Sequence, residues 1–150
     1  AAPGLPERGG STLTQQLAKN LFLDGSDRTL ARKLRELTLA LELERSLGKE
    51  RILALYLNVV EFGPGIHGAR AAADTYFLKR PGRLTPREVA FLAAILPAPR
   101  TWYTQAYIGG RPPTARIDHV LNNMRDGKAL SARNAAAAIQ APLRFVPPAR

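Results

Sequence analysis

Residues 11–44 read STLTQQLAKNLFLDGSDRTLARKLRELTLALELE, and this stretch decides the fold class. Ser11 and Thr12 carry side-chain oxygens suited to capping a helix, so Leu13–Leu23 is predicted as the first helix. It projects Gln15, Gln16, Lys19 and Asn20, a dense set of polar groups for so short a helix. Asp24, Gly25, Ser26 and Asp27 form a turn cluster, and Asp27 can cap a second helix running to about Leu47. On that helix Leu30, Leu34, Leu37 and Leu41 recur at helical spacing and make one apolar stripe. The other side carries Arg28, Arg32, Lys33 and Glu36, with Arg32 and Lys33 one turn before the carboxylate. Charges on the outer face of a helix are most often just solvated. A lone carboxylate among several cations, opposite a helix bearing Gln and Lys, also suits an anionic ligand.

The rest of the chain supports a helical reading. At 150 residues it is one domain by length and can bury a real core. Hydrophobic residues make up 45% and aromatics 7%, so the core should be rich in Leu and Ala, which favours helix over sheet. The net charge of +10 predicts a polyanionic partner: nucleic acid, an anionic bilayer or a pyrophosphate-bearing substrate. With no cysteine there is neither a disulfide framework nor a Cys-based zinc site. No run of roughly 18 apolar residues and no charged-then-apolar leader is present.

Outward from the opening stretch, AAPGLPERGG at 1–10 reads as a flexible leader. Lys49 to about Val60 is a third helix with Ile52, Leu53, Tyr56 and Leu57 on one face, and FGPG at 62–65 breaks the chain. A fourth helix is expected at Gly68–Leu78. Thr85-Pro86-Arg87-Glu88 is a capping box with Pro at the first helical position, opening a fifth that ends near Leu96. Residues 101–113, TWYTQAYIGGRPP, read as an irregular loop. Thr114–Asp126 has Ile117, Val120, Leu121 and Met124 at helical spacing, and Ser131 caps a last Ala-rich helix to Gln140. APLRFVPPAR at 141–150 is a Pro-rich tail or connector. No strand is expected. The predicted fold is all-α, with about seven helices in one domain.

Three strings carry a family resemblance. GGSTLTQQLAKN at 9–20 and RKLRE at 32–36 resemble two signature motifs of the peptidoglycan glycosyltransferases, found as monofunctional transglycosylases or as the glycosyltransferase domain of class A penicillin-binding proteins. ILALYLNVVEFGPGIHGARAAADTYF at 52–77 is similar to a third, with Tyr56, Asn58, Phe62, Gly63, Gly68, Tyr76 and Phe77 at the matching positions. The usual Gly after Tyr-Phe is Leu78 here. The resemblance covers about residues 9–100 and implies a lysozyme-like multi-helix fold with a cleft between lobes. Most of the third string reads as architecture, its glycines allowing tight turns and its alanines close packing. Glu61 and His67 lie within it without a clear role, and His119 has no partner in view.

The resemblance also implies a reaction. The 4-hydroxyl of one lipid II sugar attacks the anomeric carbon of the growing chain and expels a polyprenyl pyrophosphate with inversion. This needs a general base and cations for the departing diphosphate. Lys19, Arg28 and Lys33 match the family's pyrophosphate-binding positions, and Arg suits phosphate oxygens bidentately. Glu36 matches the second catalytic carboxylate, while Ser11, Gln15, Gln16 and Asn20 match groups lining the donor cleft. A divalent cation, Mg or Mn, is implied by the resemblance alone.

The family's base is a Glu in an acidic-aromatic-His motif well upstream of STxTQQ. Only ten residues precede Ser11 here, and Glu7 does not align with it. The expectation is an N-terminally incomplete member, also lacking the membrane-touching segment and anchor, and a poor polymerase alone. Base catalysis is worth ~10²–10⁴-fold. The alternative is a non-catalytic paralogue that binds lipid II or glycan. Implied partners are lipid II, the nascent glycan strand, the membrane surface and cell-wall synthesis proteins, at the outer face of the cytoplasmic membrane. A nucleic-acid partner is not expected: RTLARKLR at 28–35 is basic, but no nucleic-acid-binding module accompanies it.

Overall fold

The computed structural model of the protein describes residue 51 and residues 54–149. The first two expected helices, Leu13–Leu23 and Asp27 to about Leu47, lie outside the described residues. The chain divides into two compact units, residues 1–60 and 61–150. In the first unit, residues 54–59 are helical, within the expected third helix, and Tyr56 and Val60 are buried.

The second unit opens with a feature that the sequence reading missed. Glu61–Gly63 (β1) pairs antiparallel with Ile66–His67 (β2) across Pro64-Gly65, with a register irregularity between Glu61 and Gly63. The expectation of no strand is therefore corrected. Gly65 has φ 69°, which a Pro-Gly turn of type II demands at its second central residue. The chain then enters α1 (Ala69–Phe77) through Gly68, itself at φ 86°. The small residues of α1 bury Ala72 and Ala73 on the same side as Tyr76 and Phe77.

After a short 3-10 turn at Pro81–Arg83, α2 (Pro86–Ile95) begins at the predicted capping box. The Thr85 hydroxyl accepts from the Glu88 amide at 3.2 Å, and the Glu88 carboxylate accepts from the Thr85 amide at 2.7 Å. Two of the helix's orphan amides are thereby satisfied. The same carboxylate holds Lys79 at 2.9 Å, tying the end of α1 to the start of α2.

Of residues 101–113, expected to form an irregular loop, 101–108 are helical and only 109–113 are irregular. A short helix, α3 (Pro99–Trp102), continues without a break into a π-helical stretch, Tyr103–Ile108, that ends at Gly109 and Gly110. A Cβ at Gly109 would stand 2.8 Å from the Gln105 carbonyl oxygen, so the turn closes only on glycine. Then follow α4 (Thr114–Asp126) and α5 (Ala132–Gln140), both at their predicted bounds. The Ser131 hydroxyl accepts from the Asn134 amide at 3.0 Å, as a cap should.

Helices α2, α4 and α5 pack on one another. Arg87, only 7% exposed, binds them together: its Nη1 donates to Asp118 Oδ1 on α4 and to the carbonyls of Ala138 and Ile139 at the end of α5, each at 3.2 Å. A cation at a helix C-terminus satisfies orphan carbonyls and complements the dipole. The Pro-rich tail after α5 has no regular structure, yet it is held down. Its Val146 amide donates to the Tyr76 carbonyl at 2.8 Å, and the Phe145 ring packs on Phe77, Phe91, Tyr76 and Tyr107.

Candidate functional site

The third sequence signature falls on the helical segment at 54–59, the hairpin and α1, and its second-unit residues can be examined atom by atom. Tyr76 is the hub. It is fully buried, its hydroxyl donates to the Phe62 carbonyl at 2.7 Å, and its ring meets Phe91 and Tyr107 edge-on with centroids at 5.3 and 5.0 Å. Edge-to-face pairs are worth ~0.5–1.5 kcal/mol beyond their buried area. Burial is the first reason that the Tyr76 hydroxyl titrates far above its ordinary value; neighbouring Tyr103 and Tyr107 add to the shift. It therefore works as a neutral hydrogen-bond donor, never as a base.

Gly63 completes the lock. A Cβ there would lie 2.9 Å from the Tyr76 hydroxyl, 3.0 Å from Ile66 Cδ1 and 3.1 Å from Tyr103 Cδ2. The hairpin can approach α1 this closely only without a side chain at position 63. Phe62, Gly63, Gly68, Tyr76 and Phe77 are thus architectural, as their residue types suggested. Glu61, at the start of β1, accepts from Arg100 Nε on α3 at 2.7 Å, so the outer strand is fastened as well. Asn58 is exposed, and burial raises the Tyr56 hydroxyl's pKa.

One solvent-open groove of about 630 Å³ follows α1, lined by His67, Arg70, Ala71, Asp74, Leu78, Lys79 and Arg80. His67, the loop histidine of the signature, stands at its edge and is exposed. His119 lies on α4 in a shallower depression beside Arg116.

Ser11, Gln15, Gln16, Lys19, Asn20, Arg28, Lys33 and Glu36 all lie outside the described residues, so their mutual arrangement is not in view. Among the described residues no group of three or more His, Asp or Glu side chains is placed to hold a metal ion. These residues supply no site for the divalent cation, and no chemical step is routed through one. No helix among them is long and apolar enough to cross a membrane.

Comparison with known proteins fixes the family. The chain matches the transglycosylase family over residues 2–125. It belongs to that family. The biosynthetic peptidoglycan transglycosylase of Shewanella amazonensis is 51% identical over 127 residues, covering 82% of this chain and 49% of the relative. The protein of the same name from Bordetella pertussis is 58% identical over 93 residues, covering 62% of this chain and 38% of that one. The chain therefore spans about half or less of the length of these curated relatives. Among solved structures, penicillin-binding protein 1A from Haemophilus influenzae superposes with a TM-score of 0.57 at 25% identity, over 90% of this chain and 16% of that one. The helical, lysozyme-like transglycosylase fold expected from the sequence is thus the fold of this chain, with the short hairpin added.

Proposed function

We propose that the protein is a peptidoglycan glycosyltransferase domain that extends glycan strands from lipid II and releases polyprenyl pyrophosphate. The observation that carries this reading is the family match over residues 2–125, with the three ordered motifs inside it. On this reading the attacking sugar hydroxyl gives its proton to a general base as its oxygen bonds to the anomeric carbon. The bond from that carbon to the pyrophosphate oxygen breaks on the opposite face. Lys19, Arg28 and Lys33 bind the diphosphate and stabilise the charge that grows on it. Fixed cations aimed at developing charge lower the barrier most where water is excluded. Glu36 assists on the leaving-group side, and Ser11, Gln15, Gln16 and Asn20 orient the donor sugar. The hairpin lock of Gly63 and Tyr76 holds the second-unit part of the third signature together. Lipid II, the growing strand and the membrane surface are the partners, cell-wall synthesis proteins are further ones, and the outer face of the cytoplasmic membrane is the place of action.

The test is polymerisation of lipid II by the 150-residue chain and by the same chain extended upstream through its coding sequence. Activity in the extended form, reduced about 10²–10³-fold by Glu36→Gln or Lys19→Ala, is the expected result. No activity in either form, with lipid II binding intact, would replace the enzyme by a binding protein. Rates within twofold of the parent for both substitutions would remove these residues from the reaction.

A further inference from the structure

We propose that Leu78 and the cations around it form a docking patch for a membrane surface of net negative charge. Leu78 is the anomaly. It is 71% exposed and has φ 52° and ψ 44°, in the left-handed region that a branched side chain adopts only at a cost. The Leu78 amide donates to the Asp74 carbonyl at 2.9 Å, and glycine would make the same bond. The backbone bond does not need the isobutyl group, which stands mostly in solvent and is open to a partner outside the fold.

The surroundings indicate what that use is. Arg70, Lys79 and Arg80 line the groove beside Leu78, and Arg83 is exposed in the adjoining 3-10 turn. Arg70 sits in the first turn of α1, where the helix dipole disfavours a cation, and neither it nor Arg80 has an ion-pair partner among the described residues. Lys79 is held by Glu88, and Asp74 is the one carboxylate in the groove wall, so the cations are only partly offset. A soluble anion could use these cations but would leave Leu78 idle. A bilayer uses both: the apolar side chain enters the boundary between headgroups and acyl chains while the cations meet lipid phosphates. The patch rests on the proposed function only in that a lipid-linked substrate brings the chain to a bilayer.

The experiment measures sedimentation of the full chain with vesicles of phosphatidylcholine mixed with the anionic lipid phosphatidylglycerol, and with phosphatidylcholine alone. The parent should partition to the anionic vesicles in a salt-sensitive way. Leu78→Gly and Leu78→Asn should each weaken partitioning several-fold, and Leu78→Gly should keep or raise the thermal midpoint. Arg70→Gln with Arg80→Gln should weaken it by about tenfold and flatten the salt dependence. The pair Arg116→Gln and Arg133→Gln, an equal loss of charge elsewhere, should change it by less than twofold. Equal losses from both charge pairs would overturn the patch, as would parent-like binding by the Leu78 variants or a lowered thermal midpoint for Leu78→Gly. Inorganic pyrophosphate binding that needs Arg70 and Arg80 but ignores Leu78 would make the groove a soluble-anion site instead. Polymerisation is not part of the readout, so loss of the enzyme reading and loss of the patch are separate results.

Discussion

The Tyr76 hydroxyl stands 2.7 Å from the Phe62 carbonyl it donates to and 2.9 Å from where a Cβ on Gly63 would be. One atom on α1 therefore requires two things of the hairpin, an acceptor at position 62 and an empty position at 63.

Substitutions at the two sites should be coupled. Gly63→Ala forces the hairpin or the Tyr76 ring to shift and should destabilise by about 1–3 kcal/mol. Tyr76→Phe leaves a buried carbonyl unpaired and should cost about 1–3 kcal/mol. Deleting the hydroxyl also removes the closest atom that the new methyl group meets. The double variant should therefore lose at least ~0.5 kcal/mol less than the sum, as measured by urea denaturation. Strict additivity would show that the new Cβ is opposed by Ile66 and Tyr103 rather than by the hydroxyl.

Alkaline pH should unfold the protein through the same residue. The Tyr76 pKa is raised in the folded state, first by burial, while in the unfolded chain it lies near ~10. Above that value the unfolded state holds fewer protons than the native state. The stabilisation is complete below about pH 10 and is lost as pH climbs toward the native pKa, with a limiting slope of ~1.4 kcal/mol per pH unit from this residue. Tyr56 and Tyr107, also raised by burial, add in the same direction. Denaturant titrations between pH 9 and 11 (roughly one unit either side of the free phenol value) should show a shallower decline for Tyr76→Phe.

Arg87→Ala should cost about 2–3 kcal/mol, since hydrogen bonds to a charged group are worth about 1.5–3 kcal/mol and two carbonyls lose theirs. Asp118→Asn should cost below about 1 kcal/mol, because Asp118 is a third exposed and solvent screens the pair. Thermal melts of the two variants decide whether the cation acts mainly as a cap for α5. The reverse ranking would make the ion pair the dominant tie.

Phe145→Ala should destabilise by about 2 kcal/mol, somewhat less than a fully buried ring because Phe145 is half-buried. Near-ultraviolet circular dichroism should lose intensity, as four ring contacts disappear with it. An unchanged melt and spectrum would show that the tail is not held on the core.

Local chemistry explains which parts of this unit could be read in advance. The capping box at Thr85–Glu88, the Ser131 cap and the spacing of Ile117 and Leu121 act over one or two helical turns, and all three are realised. The hairpin escaped because strands of three and two residues are too short to show alternation; only Pro64-Gly65 signalled a turn. Residues 101–108 escaped because Thr, Trp, Tyr and Ile are mediocre helix formers and packing overrides that preference. Tyr103 and Tyr107, four apart, were the available hint, and they meet at a centroid distance of 5.3 Å. Phe145 could not have been anticipated, since its partners lie far away in sequence and no periodicity marks it. The anionic-ligand residues from Ser11 to Glu36 were legible as a motif, while their geometry falls outside the described residues.

The docked tail has a mechanical consequence. A pull on the chain beyond Val146 is not absorbed first by unravelling α5. It arrives at the hydrogen bond that the Val146 amide donates to the Tyr76 carbonyl, and at the ring of Phe145. Tyr76 passes that load through its hydroxyl to the backbone of β1. Tension at one end of this unit is thus delivered to the hairpin at the other within two hydrogen bonds, which makes the tail a strain gauge on the third signature.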